Sequence, residues 1–190
     1  MVDLSDREIS AEIIKSCRLG DREAFRALYD VYKDRVYSIA LYFFHGDHAV
    51  ASDLTQQVFL KLMTSIGQFR GDAAFPTWLY RLVVNACLDV ARRRTSDALI
   101  AAASPPPAFA RQDSQEDAYA RAQRATSVRA AISTLPRKFR IAVLLRYFDD
   151  LSYEEMARAL DCSMGTVASR LSRGHKMLAE RLKNVNGPKG

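Results

Sequence analysis

A chain of 190 residues, 48% of them hydrophobic, can bury one medium core or two small ones, and wholesale disorder is excluded. Its 28 Lys and Arg outnumber 22 Asp and Glu, and the net charge of +6 favours a polyanionic partner, of which nucleic acid is the commonest. No apolar run approaches the roughly 18 residues that a membrane span requires, so membrane insertion is not expected.

The N-terminus, MVDLSDREISAEIIKS, mixes acids into its apolar positions and is no secretory signal. From about Asp6 to Leu19 it reads as an amphipathic helix closed by Gly20. Asp21 can cap the next helix, where Phe25, Leu28, Tyr29, Tyr32, Val36, Ile39 and Phe43 form a wide apolar stripe. His45-Gly46-Asp47 interrupts it, and a third helix buries Val50, Leu54, Val58 and Leu62. On other faces of that helix, within DLTQQVFLK, lie Asp53, Gln56, Gln57, Phe59 and Lys61, a set suited either to docking another helix or to plain solvation.

A polar loop, Gly67 to Ala74, precedes Pro76, which fits the first turn of a fourth helix. That helix, within FPTWLYRLVVNACLDVARRR, is expected to bury Leu79, Leu82, Val83, Ala86 and Val90 and to end at Arg94. Arg81, Asn85, Asp89 and Arg92 step along one face, and Arg92-Arg93-Arg94 would gain from the helix dipole at its C-terminus. A basic track beside Phe69, Trp78, Tyr80 and Asn85 also suits single-stranded nucleic acid, which is held by stacking and backbone charge.

Residues 95–113, with Pro105-Pro106-Pro107, read as a linker between domains spanning 1–94 and 114–190. A helix from Ser114 ends near Leu135, and Pro136 opens another through Phe148. Residues 151 to 178 then hold two helical patterns joined by Asp161-Cys162-Ser163. Leu151, Met156, Ala157 and Leu160 face a core from the first, and Val167, Leu171 and Leu178 from the second. Ser163 is typed to cap the second helix. Thr166, Ser169, Arg170, Arg173 and Lys176 lie off its buried stripe, as a recognition helix in a DNA major groove needs.

The three cysteines, Cys17, Cys87 and Cys162, lack the spacing of a zinc site or a disulfide framework and fit a reducing cytoplasm. No glycine-rich phosphate loop or catalytic grouping of His45, His48 or His175 emerges, so neither an enzyme nor a cofactor is expected.

The whole pattern resembles the sigma-70 family of RNA polymerase sigma factors, in its compact extracytoplasmic-function (ECF) group. Residues 20 to 94 are similar to region 2 and residues 120 to 183 to region 4. The resemblance implies an all-α, two-domain bacterial protein, cytoplasmic or held at the membrane by an anti-sigma factor, that lends promoter specificity to a polymerase. By that resemblance Asp53, Gln56, Gln57, Phe59 and Lys61 dock on the clamp helices of the polymerase's largest subunit, and the flap of the second subunit is a further contact. Gln68, Phe69, Arg70 and Asp72 receive a base flipped from the −10 element, an extraction costing a few kcal/mol. Trp78, Arg81, Asn85, Asp89, Arg92 and Arg93 hold the surrounding DNA. Arg137 and Arg140 contact phosphates, while Ser163, Gly165, Thr166, Ser169, Arg170, Arg173 and Lys176 address the −35 element. Gly174-His175 departs from the family's commoner Ala-Arg or Gly-Arg, which weakens a phosphate contact there. A conventional helix-turn-helix regulator is the rival reading, and an adaptor acting only through protein contacts is a second.

Overall fold

The structure is a computed structural model that describes residues 9–100 and 128–185. Among these residues there is helix and no strand. The chain runs α1 (Ala11–Arg18), α2 (Arg22–Phe43), α3 (His48–Ser65), a 3₁₀ turn (Ile66–Gln68) and α4 (Phe75–Ile100). After a helical stretch at 128–133 come α5 (Arg137–Asp149), α6 (Tyr153–Ala159) and α7 (Met164–Val185). The prolines of the expected linker and the start of the helix expected at Ser114 lie outside the described residues.

Each break follows from local chemistry. Gly20 sits at φ +87°, where its missing Cβ makes the left-handed turn cheap. Its N–H returns to Cys17 O and that of Asp21 to Ser16 O, a Schellman closure of α1. Asp21 then accepts from the N–H groups of Glu23 and Ala24 at 2.9 and 3.3 Å, starting α2. The same device closes α2 with a non-glycine: His45 adopts φ +60° and Gly46 N–H reaches Leu41 O at 2.8 Å. Asp47 caps α3 through Val50 N–H at 3.1 Å.

Burial matches most of the expected stripes. Leu28, Val36, Ile39, Leu54, Leu62, Leu79 and Val83 are buried. Tyr29 departs from its stripe: it is 41% exposed and meets Phe59 edge-on at 4.7 Å. The fourth helix also overruns its expected end, continuing to Ile100 through TSDALI. No proline or glycine occurs in that stretch, and nothing there breaks an α-helix. The triple arginine is therefore mid-helix, and the dipole argument made for it does not apply.

The C-terminal unit is built around the crossing of α5 and α7. Gly174 is buried there, and a Cβ on it would stand 3.0 Å from Val143 Cγ2. Glycine at 174 thus has a packing reason, while His175, the departure from the family pattern, is exposed.

Arg140 corrects an expectation. It was assigned to DNA phosphates, yet it is only 5% exposed. Its guanidinium donates to the carbonyls of Ile132, Ser133 and Leu135, and, from the other unit, to Phe43 O at 2.6 Å. It also donates to His45 Nε2 at 3.0 Å. An arginine has no acceptor, so that histidine nitrogen must be the lone-pair one, with the proton on Nδ1. Burial, then Arg140 and Arg137, lowers the His45 pKa and keeps the ring neutral. Burial lowers the Arg140 pKa to about 10, which leaves it charged at neutral pH.

The two units touch along two seams, α2 against α5 and α4 against α6. Their buried apolar residues form one continuous cluster.

Two stability outcomes follow. Arg140→Met should cost at least about 3 kcal/mol by urea unfolding, because unsatisfied buried carbonyls cost about 1–3 each. Gly174→Val should cost about 1–3 kcal/mol through overpacking against Val143 and Phe139, read from the same transition.

Candidate nucleic-acid and polymerase interfaces

On α3, Asp53, Gln56, Gln57 and Lys61 are all exposed. Phe59, grouped with them, is 7% exposed and packs beneath Tyr29, so it supports the face from behind and is not on it. Two residues the sequence reading missed complete the surface: Leu60 at 63% and Met63 at 53% exposure. Their signal was available, since Leu60 lies at i+4 and i+3 from Gln56 and Gln57 and Met63 three residues on. The result is an apolar centre with a polar rim, the common anatomy of a protein-docking patch.

The second site lies where the 3₁₀ turn meets α4. Phe69, Phe75 and Trp78 form an aromatic cluster, with centroids 5.5, 5.6 and 6.0 Å apart. Phe75 is buried and carries the other two, each half-exposed. Around them a cavity of about 450 Å³ is lined by Gln68, Phe69, Arg70, Gly71, Asp72, Ala73, Thr77, Trp78 and Arg81 from one unit and by Arg158 and Asp161 from the other. Gly71 bends the loop at φ +82°. The Thr77 hydroxyl is buried with no hydrogen-bond partner, and it lies behind the cavity lining. Tyr80, offered as a stacking platform, is fully buried and cannot serve as one.

Further along α4 the exposed face continues through Arg81, Asn85, Asp89 and Arg92. Arg92 is paired with Asp89 at 2.5 Å. Arg94 pairs with Asp47 at 2.9 Å and lies over the Phe44 ring, and Arg93 stands exposed between it and the paired Arg92.

The third site is the helix-turn-helix. The side chain of Ser152 accepts from Glu155 N–H while Glu155 reaches back to Ser152 N–H, the reciprocal capping box that starts α6. At its end Cys162 N–H returns to Ala157 O and Asp161 adopts φ +50°, a turn that Asp tolerates well. Ser163 Oγ caps α7 by accepting from Thr166 N–H at 3.2 Å. Val167 and Leu171 anchor the helix in the core. Ser163, Gly165, Ser169, Arg173 and Lys176 are exposed, and Thr166 and Arg170 half-exposed. Arg137, at the start of α5, is exposed and donates to Thr95 Oγ1 at 2.7 Å.

Family models match both halves of this arrangement: sigma-70 region 2 over residues 28–96 and sigma-70 region 4 over residues 125–178. The chain is 34% identical over 184 residues to the RNA polymerase sigma-H factor of Pseudomonas aeruginosa, covering 93% of this chain and 95% of that one. It belongs to the ECF group of sigma-70 family RNA polymerase sigma factors. It is also 31% identical to the ECF sigma factor SigW of Bacillus subtilis over 180 residues, 90% of this chain and 96% of SigW. In fold it is similar to the sigma factor RpoE of Bartonella quintana, solved in complex with the anti-sigma factor NepR. There the TM-score is 0.71 at 23% identity, covering 84% of this chain and 96% of that one. Sigma factors are transcription initiation factors, not enzymes. Among the described residues no helix of this ECF factor is long and apolar enough to cross a membrane.

Structural and docking roles on α3 separate experimentally. Phe59→Ala should cost about 3 kcal/mol or more of stability, and Leu60→Ala within about 0.5, both measured by chemical denaturation.

Proposed function

We propose that this ECF sigma factor engages core RNA polymerase through the α3 face and opens promoters through the cavity beside Trp78. The observation that carries the reading is the division of labour along one chain. An apolar-centred docking face, an aromatic-floored cavity on a basic helix and an exposed recognition helix are three distinct sets of residues, the last two meeting at Asp161.

Asp53, Gln56, Gln57 and Lys61, with Leu60 and Met63 in place of Phe59, contact the clamp helices of the largest subunit. A further contact is made with the flap of the second subunit. The cavity takes a base flipped from the −10 element. Phe69 and Trp78 stack on it, and polar groups of the Gln68–Asp72 loop meet its polar edge. Arg81, Asn85 and Arg93 track the backbone beyond it. Arg92, already neutralised by Asp89, contributes less. On the C-terminal unit Arg170 and Arg173 read the −35 element. The N-terminal end of α7, with Ser163, Gly165 and Thr166, presents N–H groups to a phosphate. Ser169, Lys176 and Arg137 add contacts at the edge, whereas Arg140 acts by holding the unit together. An anti-sigma factor is the expected cytoplasmic regulator, in keeping with relatives such as RpoE that are known in such complexes.

Run-off transcription from a library of promoter fragments tests this, using core polymerase with and without the protein. Discrete new starts should appear only with it, and a lack of new starts alongside tight duplex binding by the protein alone would favour a conventional regulator. Leu60→Ala combined with Met63→Ala should weaken core binding tenfold or more, about 1.4 kcal/mol. Arg170→Ala should leave core binding intact and cost about 1–3 kcal/mol of discrimination at one −35 position.

A further inference from the structure

With the two units closed on one another, the cavity beside Trp78 is a composite of both. Its floor is Phe69 and Trp78 and its basic rim Arg70 and Arg81, all from the N-terminal unit. Arg158 of α6 and Asp161 of the turn after it supply the remaining wall. A base flipped from a strand calls for the first four alone. The wall from the second unit adds a third guanidinium and bounds a space of about 450 Å³. Small-molecule sites have volumes in this range and favour the boundaries between domains.

The charges around that space are loosely held. Arg81 Nη2 stands 3.8 Å from Asp161 Oδ1, too far for a hydrogen bond, and both side chains are more than half exposed. Arg158 pairs with Glu154, one turn back on α6, at 2.6 Å, which uses one of its five N–H donors. Asp72 and Asp161 offset two of the three guanidinium charges, so a bare anion gains little here. Phe69 and Trp78 are half-exposed and tilted by 52°, so neither ring covers the face of the other. A ligand that combines a flat ring with an anionic tail uses both features, and each half compensates for the weakness of the other.

We propose that this composite cavity binds a free nucleotide, its base stacked at Phe69 and Trp78 and its phosphates on Arg81 and Arg158. Gln68 and Asp72 accept from the N–H groups of the base. Stacking tolerates any base, so the phosphates select the ligand more than base identity does. The site goes beyond the promoter reading and rests on the cavity alone. Because the nucleotide occupies the place assigned to the −10 base, rising nucleotide lowers strand capture by mass action.

Trp78 is the one tryptophan of the chain, so its emission reports this cavity. The intact protein is titrated with adenosine and guanosine diphosphates, adenosine, inorganic pyrophosphate and a short random single strand of DNA. N-acetyltryptophanamide, titrated alongside, corrects for absorption by the bases. Both diphosphates should change the emission saturably, with dissociation constants below about 1 mM, and adenosine and pyrophosphate should each bind about tenfold more weakly. Arg158→Ala should weaken the diphosphates about fivefold, the upper range for an exposed ion pair, and Asp161→Asn should tighten them about twofold by removing a repelling carboxylate. Arg26→Ala, exposed on α2 and outside the cavity, controls for the general positive charge and should change nothing. All three substitutions fall at exposed positions, and circular dichroism checks that each variant is folded. The proposal is overturned by no saturable change with either diphosphate, or by adenosine or pyrophosphate binding as tightly as they do. It is overturned equally by Arg158→Ala binding as the wild type does, by Asp161→Asn binding no more tightly, or by Arg26→Ala matching the loss at Arg158. A strand that changes the emission where neither diphosphate does assigns the cavity to DNA alone and also overturns it. Neither polymerase nor promoter enters the titration, so its failure is distinct from an absence of new starts in the transcription assay.

Discussion

The arrangement depends on one guanidinium. Arg140 gathers the carbonyls at the end of the helical stretch 128–133, those of the turn leading into α5, and the last carbonyl of α2. Helix ends leave carbonyls without intrahelical partners, and burying them unpaired is costly. A planar fork with five donors satisfies several at once, which a lysine could not do. Because one of those carbonyls belongs to the N-terminal unit, the residue that closes the C-terminal core also orients it on α2. His45 contributes by staying neutral. Its left-handed backbone places the ring where its lone pair accepts from Arg140, and burial together with the nearby arginines disfavours a second positive charge.

From that junction the seams follow. With α5 fixed on α2, Asp149 at its far end meets Arg35, and α6 is carried against α4. The recognition helix is then held at a close crossing of α5 that glycine at 174 favours. Its reading face points away from the core because Val167 and Leu171 are committed inward.

Periodicity made the helices, their caps and most of the core legible, since apolar spacing and capping chemistry are local properties. Gly20, Asp21, Ser163 and the stripes of α2 and α3 needed nothing from elsewhere in the chain. What failed was the choice between like residues whose fate is tertiary. Arg137 and Arg140 sit in one helical turn and read alike, but only Arg140 lies under the end of α2. Phe59 and Leu60 are neighbours. The larger, more conspicuous aromatic turned inward beneath Tyr29, and the ordinary leucine took the surface. The end of α4 was misplaced because composition shifts at Thr95, while the helix stops only where a breaker or a lost contact stops it. Tyr80 was misjudged for the same reason as Phe59: one residue of rotation on a helix separates the cavity face from the seam.

The seam combines a buried ion pair with apolar packing. A buried ion pair pays a desolvation cost that its attraction roughly offsets, so Arg35–Asp149 contributes specificity of docking more than net stability. Removing one charge penalises the closed form sharply, because the other is left enclosed. The remaining contacts are largely apolar, with Tyr42 stacked on Phe148 and the buried residues of both units in one cluster. Tethering in one chain raises the effective concentration of one unit for the other, so even a weak contact stays mostly formed.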